Sequence, residues 1–206
     1  MELIQIGPMS EEVRQLAEII SNREVYLPFN AGKPGGAQNN MGVMEHIVRS
    51  SRPAYVLKAN NQVVGFVGFG SLSAIQAEVL NATGSLAKQI PNSQDIYKCR
   101  NIAYFVDPKY HGMGLGTNMV QMAIKNMFED PRYNVPAIVA FYFVYDVGSE
   151  NTPSHKLLMR MGFNYTASTV VQKRAWGSDV HSTHMYLTRE KFYNKLNETN
   201  EDNGEK

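Results

Sequence analysis

A glycine-rich segment between a strand pattern and a helix pattern constrains this chain more than any other feature. It reads Val-Asp-Pro-Lys-Tyr-His-Gly-Met-Gly-Leu-Gly-Thr over residues 106–117. A β-branched and aromatic run at 97–106 precedes it, and amphipathic helical periodicity follows from about 114 to 129. Its three glycines allow backbone N–H groups to converge without a Cβ between them, and the helix adds the positive end of its dipole. The segment therefore predicts a cradle for a phosphate or pyrophosphate.

Two other phosphate-binding motifs fit this segment less well. A P-loop requires Gly-Lys-Ser/Thr at the start of the helix, whereas Gly116 is followed by Thr117 and Asn118. A dinucleotide fingerprint would place its third glycine at position 117, and an acidic residue would end the next strand about 20 residues later. Asp130 comes before that strand begins. A tight turn without any ligand also stays open, because a glycine loop alone is a weak signal.

Patterns along the rest of the chain alternate between helix and strand and predict one mixed α/β domain over residues 1–193. Further helical periodicity is found at about 10–21, 38–50, 73–81 and 152–161. Further strand patterns are found at 54–59, 63–69, 137–145, 165–174 and 181–187. Residues 194–206 are almost purely polar, and this composition predicts a disordered tail.

Composition argues against several classes of protein. Twenty Lys and Arg against 19 Asp and Glu leave no basic excess of the kind that binds nucleic acid. No stretch approaches the ~18 apolar residues of a membrane span, and the N-terminus has no signal-peptide pattern. The single Cys99 can form neither an internal disulfide nor a cysteine-built zinc site. We therefore expect a cytoplasmic protein with no nucleic-acid, membrane or metal partner.

Two motifs in sequence order resemble the GNAT superfamily of acyl-CoA-dependent N-acyltransferases. The family's pyrophosphate loop has the form Arg/Gln-x-x-Gly-x-Gly/Ala after a strand ending in Val-x-Pro. Here it reads His111-Gly-Met-Gly-Leu-Gly116 after Val106-Asp-Pro108. The second signature, an Asn with Ala or Ser three residues later and a closing Gly-Phe, reads Asn151-Thr-Pro-Ser154 and Gly162-Phe163. The resemblance spans about 54–190 and implies a central mixed, mostly antiparallel, splayed sheet of six to seven strands flanked by helices.

The resemblance implies acetyl-CoA as the co-substrate and assigns residues to it. Phe105 and Val106 would pair their backbone with pantetheine and offer an N–H to the thioester oxygen. Asn151, with Ser154 in the same motif, would bind the pantetheine arm or the sheet edge. Lys156 would neighbour the adenosine phosphates, although a solvated helix face explains it equally well. Backbone N–H groups would hold the pyrophosphate at His111, Gly112, Met113, Gly114, Leu115, Gly116 and Thr117.

The activity implied by the resemblance is N-acetyl transfer to a primary amine by direct attack in a ternary complex. The acceptor could be a small molecule, an amino acid or a protein N-terminus, and the resemblance leaves a homodimer open. Two positions depart from the family pattern: His111 replaces Arg or Gln, and Leu158 stands where a Tyr often protonates the departing thiolate. The alternative function is therefore a GNAT-fold module that binds acyl-CoA without turnover. The glycine spacing disfavours a nucleotide-binding oxidoreductase.

The acceptor amine must lose a proton before it attacks, because an alkylamine has a pKa of about 10.4. The strand pattern at 97–106 contains no carboxylate that could remove this proton. Asp146 is the carboxylate that remains as a candidate base, since a helix N-terminus explains Glu150. Alternation on 181–187 places His184 and Tyr186 on one strand face, where they could relay the proton. The predicted catalytic residues are thus Asp146, His184 and Tyr186, and a structural role is the alternative for His184.

Overall fold

The computed structural model of the protein describes residues 1–22, 24–25, 37–82, 86, 88–90, 92–144, 152–172 and 180–204. The α-helices in these residues are α1 (Glu12–Ile20), α2 (Ala37–Ser50), α3 (Ala74–Ala82), α4 (Leu115–Glu129), α5 (Thr152–Arg160) and α6 (Arg189–Gly204). The strands are β1 (Glu2–Gln5), β2 (Ser51–Ala59), β3 (Gln62–Ser71), β4 (Arg100–Val106), β5 (Ala137–Val144), β6 (Asn164–Gln172) and β7 (Val180–Thr188). The predicted fold class, a mostly antiparallel sheet of six to seven strands with flanking helices, is confirmed. Within the described ranges, no helix combines the length and apolarity of a membrane span.

Contacts divide the chain into two compact units, of which the first comprises residues 1–71 and 102–129. Its strands follow the order β1-β2-β3-β4, and the β1/β2 and β2/β3 pairs are antiparallel. The β2–β3 hairpin turns at Asn60 and Asn61, whose φ angles of 50° and 62° match a two-residue turn of type I′. The two strands of this hairpin match the strand patterns at 54–59 and 63–69.

The apolar face of α1 anchors the core of the first unit. Val13, Leu16, Ala17 and Ile20 on this face are fully buried and belong to one cluster with residues of α2, β2 and β3. The polar edge of the helix is tied to the sheet as well. The Val63 N–H donates to Gln15 Oε1 at 3.0 Å, and Lys58 Nζ lies 2.6 Å from Glu12 Oε1. The hydrogen bond from Lys58 lowers the pKa of Glu12.

The second unit comprises residues 72–101 and 130–206, with strands in the order β5-β7-β6. Both of its strand pairs are antiparallel. The segment 72–99 supplies α3 and a 3₁₀ helix (Ser93–Lys98), and apolar residues from it pack on Ala137, Val139 and Tyr186. Cys99 belongs to the same cluster and is fully buried, and this burial raises the pKa of its thiol to about 12.

Three elements differ from the sequence patterns. β4 begins at Arg100 rather than at 97, because the Asn92 side chain accepts a hydrogen bond from the Gln94 N–H and starts a 3₁₀ helix that ends at Lys98. The short edge strand β1 was not predicted, because four residues with two exposed ends give little alternation. α6 continues to Gly204 and so covers most of the polar segment 194–206, whose disorder stays a prediction.

Candidate active site

A turn whose backbone N–H groups all have acceptors connects β4 to the glycine-rich segment. The Asp107 N–H donates to the Val64 carbonyl of β3 at 2.9 Å, and the Asp107 carboxylate accepts the Lys109 N–H at 3.1 Å. Pro108 stands at the first position of a 3₁₀ helix (Pro108–Tyr110), where its missing N–H costs nothing. The Tyr110 N–H donates to the Asp107 carbonyl at 2.8 Å. The end of β4 is therefore held rigidly to β3 before the glycines begin.

After His111 the backbone enters the left-handed region at two glycines, and its N–H groups no longer find acceptors within the described part of the chain. Gly112 and Gly114 adopt φ angles of 78° and 74°, in the left-handed region that glycine enters without steric cost. The described residues offer no acceptor to the backbone N–H groups of 112–117, and the first helical bond of α4 runs from the Asn118 N–H to the Gly114 carbonyl at 3.2 Å. Successive unpaired N–H groups at a helix N-terminus form an anion site. We call residues 112–117 the anion cradle.

The cradle is open to solvent at its glycines. Atoms placed at the missing Cβ positions of Gly112 and Gly114 would meet nothing within 4 Å, and Met113 between them is exposed. A pyrophosphate can therefore reach the N–H groups directly. Of the predicted cofactor residues, 112–117 form one continuous backbone surface of N–H groups that are free within the described ranges, which suits a ligand that carries negative charge. The prediction for the His111 N–H is wrong, because this group already donates to the Pro108 carbonyl at 3.1 Å.

Phe105 and Val106 lie at the end of β4. The Phe105 ring is buried and stacks on Phe66, with 5.5 Å between the ring centroids. Its side chain thus belongs to the core of the first unit, and only the backbone of this residue could meet a ligand. On β3, a Cβ added to Gly65 would lie 2.9 Å from the Phe105 carbonyl oxygen and 3.0 Å from Met119 Sδ.

Replacing Gly65 with alanine should therefore displace the end of β4. We expect Gly65→Ala to lower the free energy of unfolding by about 1–3 kcal/mol, because the added methyl group overpacks a filled site. Urea titration measures this change. Gly70→Ala on the same strand is the matched control, since its Cβ would meet its nearest neighbour at 3.9 Å. Equal stability of the two variants would contradict the close approach between β3 and β4.

The second signature maps onto α5 in the second unit. Gly162 has a φ angle of 88°, its N–H donates to the Met159 carbonyl, and the Phe163 N–H donates to the Leu158 carbonyl, both at 3.0 Å. These bonds form a Schellman cap, so the Gly-Phe pair is explained by how the helix ends. Ser154 is half-buried, Lys156 is exposed and Leu158 is fully buried. Asn151 lies outside the described residues.

His184 and Tyr186 occupy one strand, β7, where they pair with Phe141 and Val139 of β5. His184 is 2% exposed, and burial lowers its pKa to about 4, so its imidazole is neutral at pH 7. Burial likewise raises the pKa of Tyr186, whose side chain belongs to the apolar cluster of the second unit. Asp146 lies outside the described residues, so the structure does not test whether the three predicted catalytic residues meet, and their roles stay predictions.

A polar cleft of about 380 Å³ in the first unit escaped the sequence analysis. It adjoins the turn before the anion cradle and contains side chains of both charges. Residues from three separate stretches of the sequence line the cleft, so no local sequence motif predicts it. Its polar lining includes Glu18, Asn22, Gln62, Asp107, Lys109 and Tyr110.

Comparisons with known proteins identify the family. The model of the acetyltransferase (GNAT) family matches residues 38–163, and comparison with curated proteins gives no match. Among solved structures, a GNAT acetyltransferase from Bacillus anthracis is 14% identical, with 92% of this chain and 96% of that chain covered and a TM-score of 0.63. The ribosomal-protein-S5-alanine acetyltransferase from Vibrio fischeri is 16% identical, with coverages of 92% and 93% and a TM-score of 0.61. The protein yncA from Salmonella typhimurium, solved with its cofactor acetyl-CoA, is 18% identical, with coverages of 91% and 92% and a TM-score of 0.59.

The chain therefore belongs to the GNAT acetyltransferase family, whose members transfer acetyl groups from acetyl-CoA. The family prediction and the prediction of acetyl-CoA as cofactor are both confirmed at this level.

Proposed function

We propose that the protein is an N-acetyltransferase that moves the acetyl group of acetyl-CoA to a primary amine by direct attack within a ternary complex. The observation that carries this proposal is the anion cradle. Six successive backbone N–H groups find no acceptor in the described residues, and they follow a turn whose own backbone N–H groups all have acceptors. A pyrophosphate would supply the missing acceptors.

The charge of the chain fits this mode of binding. The formal net charge is only +1, so a general basic surface cannot account for affinity toward a polyphosphate. Oriented N–H groups and the end of a helix dipole attract an anion without any lysine. Bound acetyl-CoA supplies a thioester, which is an acyl group already activated for attack by an amine. The backbone at Phe105 and Val106 remains the proposed partner of the pantetheine arm.

Direct attack requires a neutral amine but no nucleophile from the enzyme. Cys99 is unsuited to covalent catalysis, because it is buried and its thiol has a pKa of about 12. Proton removal is assigned to Asp146, with His184 and Tyr186 as relays. His184 is neutral at pH 7 and can therefore accept a hydrogen bond, although burial makes it a weak base.

The acceptor is proposed as a primary amine on a small molecule, an amino acid or a protein N-terminus. Fold neighbours are named for such different acceptors as a ribosomal-protein alanine and phosphinothricin. The cytoplasm is the proposed location. Specificity for the acceptor is assigned to segments outside the cofactor motifs, chiefly residues 27–36 and 71–95.

Two observations favour a second candidate, a GNAT-fold module that binds acetyl-CoA without turnover. Leu158 occupies the position of the usual thiolate acid and is 1% exposed, so its side chain belongs to the packed interior. β4 carries no carboxylate that could act as a base. A module of this kind would bind acetyl-CoA at the anion cradle but would not transfer its acetyl group.

Release of CoA in the presence of a panel of amines, amino acids and peptides separates these candidates. A thiol reagent reports each CoA released, and buried Cys99 should contribute no background in the folded protein. The enzyme proposal predicts amine-dependent release that falls in Asp146→Asn and in His184→Gln, while both variants retain their affinity for CoA. Tight binding of acetyl-CoA without release by any amine would favour the binding module instead.

A further inference from the structure

We infer that His111 is a positioning residue, whose imidazole fixes the Val106–Asp107 peptide and thereby the register between the end of β4 and the anion cradle. This inference rests on the proposed function, because it assigns a side chain to the placement of acetyl-CoA. The family pattern has Arg or Gln at this position and gives no role to a histidine ring. The ring of His111 nevertheless makes a specific contact in this structure.

The contact lies between His111 Nε2 and the carbonyl oxygen of Val106, 3.0 Å apart. A carbonyl oxygen can only accept, so Nε2 carries the proton and donates. The Asp107 N–H belongs to the same peptide plane and donates to the Val64 carbonyl at 2.9 Å. One peptide unit is thus held at both polar ends, by β3 on one side and by His111 on the other. Rotation of this plane would break both bonds.

His111 also marks the boundary between bonded and unbonded backbone. Its own N–H donates to the Pro108 carbonyl at 3.1 Å, which closes the turn a second time. The next six N–H groups are those of the anion cradle, 112–117. The ring is exposed, so its function is not to fill a core. Its bond spans from the last residue of β4 to the residue before the cradle, and it therefore sets the distance between the thioester end and the pyrophosphate end of the site.

A single neutral donor with sufficient reach is enough for this role. Glutamine has an N–H₂ group on a chain long enough to approach the same carbonyl, whereas asparagine is one methylene shorter and alanine has no donor. We therefore expect a specific order of affinity for CoA among variants at position 111: glutamine keeps the affinity of the wild-type histidine, while asparagine and alanine lower it. The variant His111→Lys tests whether positive charge alone is sufficient, because lysine carries a cation but no planar N–H donor.

Calorimetric titration with CoA tests this order. We expect His111→Ala and His111→Asn to raise the Kd for CoA about threefold to tenfold, the range expected for the loss of one neutral hydrogen bond. We expect His111→Gln to stay within about twofold of the wild type. The KM for acetyl-CoA should rise in parallel, while kcat at saturating acetyl-CoA changes little. His46→Ala, at an exposed histidine on α2, is the matched control and should leave Kd unchanged.

Two binding outcomes would overturn the inference: wild-type affinity in His111→Ala, or restoration by His111→Lys but not by His111→Gln, which would make charge the cause. Nitrogen-detected NMR of the free protein tests the contact without any ligand. A His111 ring that carries its proton on Nδ1 instead of Nε2 would overturn the inference too. If the wild type itself does not bind CoA, the proposed function is wrong. NMR of the free protein still shows in that case whether the His111 ring makes its hydrogen bond.

Discussion

Gly114→Val should bind acetyl-CoA about thirtyfold more weakly than the wild type. Gly114 holds a φ angle of 74°, and a residue with a Cβ pays about 1–2 kcal/mol to enter this region, with a β-branched side chain at the upper end. Because space is open around the missing Cβ, the penalty comes from backbone conformation and not from a clash. The loop should relax by turning its peptide planes, which redirects the N–H groups of the anion cradle. About 2 kcal/mol corresponds to the stated change in Kd.

Gly42→Ala is the control for this variant. Gly42 also has open space around its missing Cβ, but it lies inside α2 and has no positive φ angle. Alanine should therefore stabilise the helix by about 0.5–1 kcal/mol and leave the affinity for acetyl-CoA unchanged. Calorimetric titration and thermal melting measure the two quantities separately. Wild-type affinity in Gly114→Val would show that the left-handed conformation is unnecessary for binding.

The free energy of unfolding should fall by about 2 kcal/mol between pH 7.5 and pH 5 because of His184. Burial lowers the pKa of His184 to about 4, whereas an exposed histidine titrates near 6.5. Below pH 6.5 the unfolded chain therefore binds a proton that the folded chain does not bind until about pH 4. The unfolded state gains stability as the pH falls through this window, and the stability of the fold is lost. Urea titrations at several pH values measure the slope.

His184→Gln should remove most of this slope, since glutamine does not titrate. His46→Gln should keep it, because His46 is exposed on α2. The window ends at pH 5 so that protonation of Glu12 and Asp130, whose pKa values are lowered by Lys58 and Arg132, contributes little. Identical slopes in the wild type and in His184→Gln would mean that the histidine is accessible to protons in the folded state.

The sequence predicts this fold well wherever local patterns determine it. The β2–β3 hairpin follows from two β-rich runs around Asn60 and Asn61, and the end of α5 follows from Gly162, because each turn needs a φ angle that these residues tolerate. The anion cradle was predicted for the same reason. Glycines at 112 and 114 have the positive φ angles that the spacing requires.

Long-range contacts account for what the sequence could not predict. Alternation on β7 placed His184 on one face but could not reveal its burial, because burial depends on which elements pack on that face. The cleft beside the turn, lined by Glu18 and Asp107 among others, joins residues far apart in the chain. The bond between His111 and Val106 depends on one side-chain rotamer, which no spacing rule specifies.

Amide chemical shifts of ¹⁵N-labelled protein titrated with acetyl-CoA test directly whether the anion cradle binds the cofactor, because each N–H of the cradle reports on its own hydrogen bond. We expect the resonances of residues 112–117 to move most, to move together and to saturate with one Kd. Binding of acetyl-CoA that leaves these six amides unmoved would contradict this prediction.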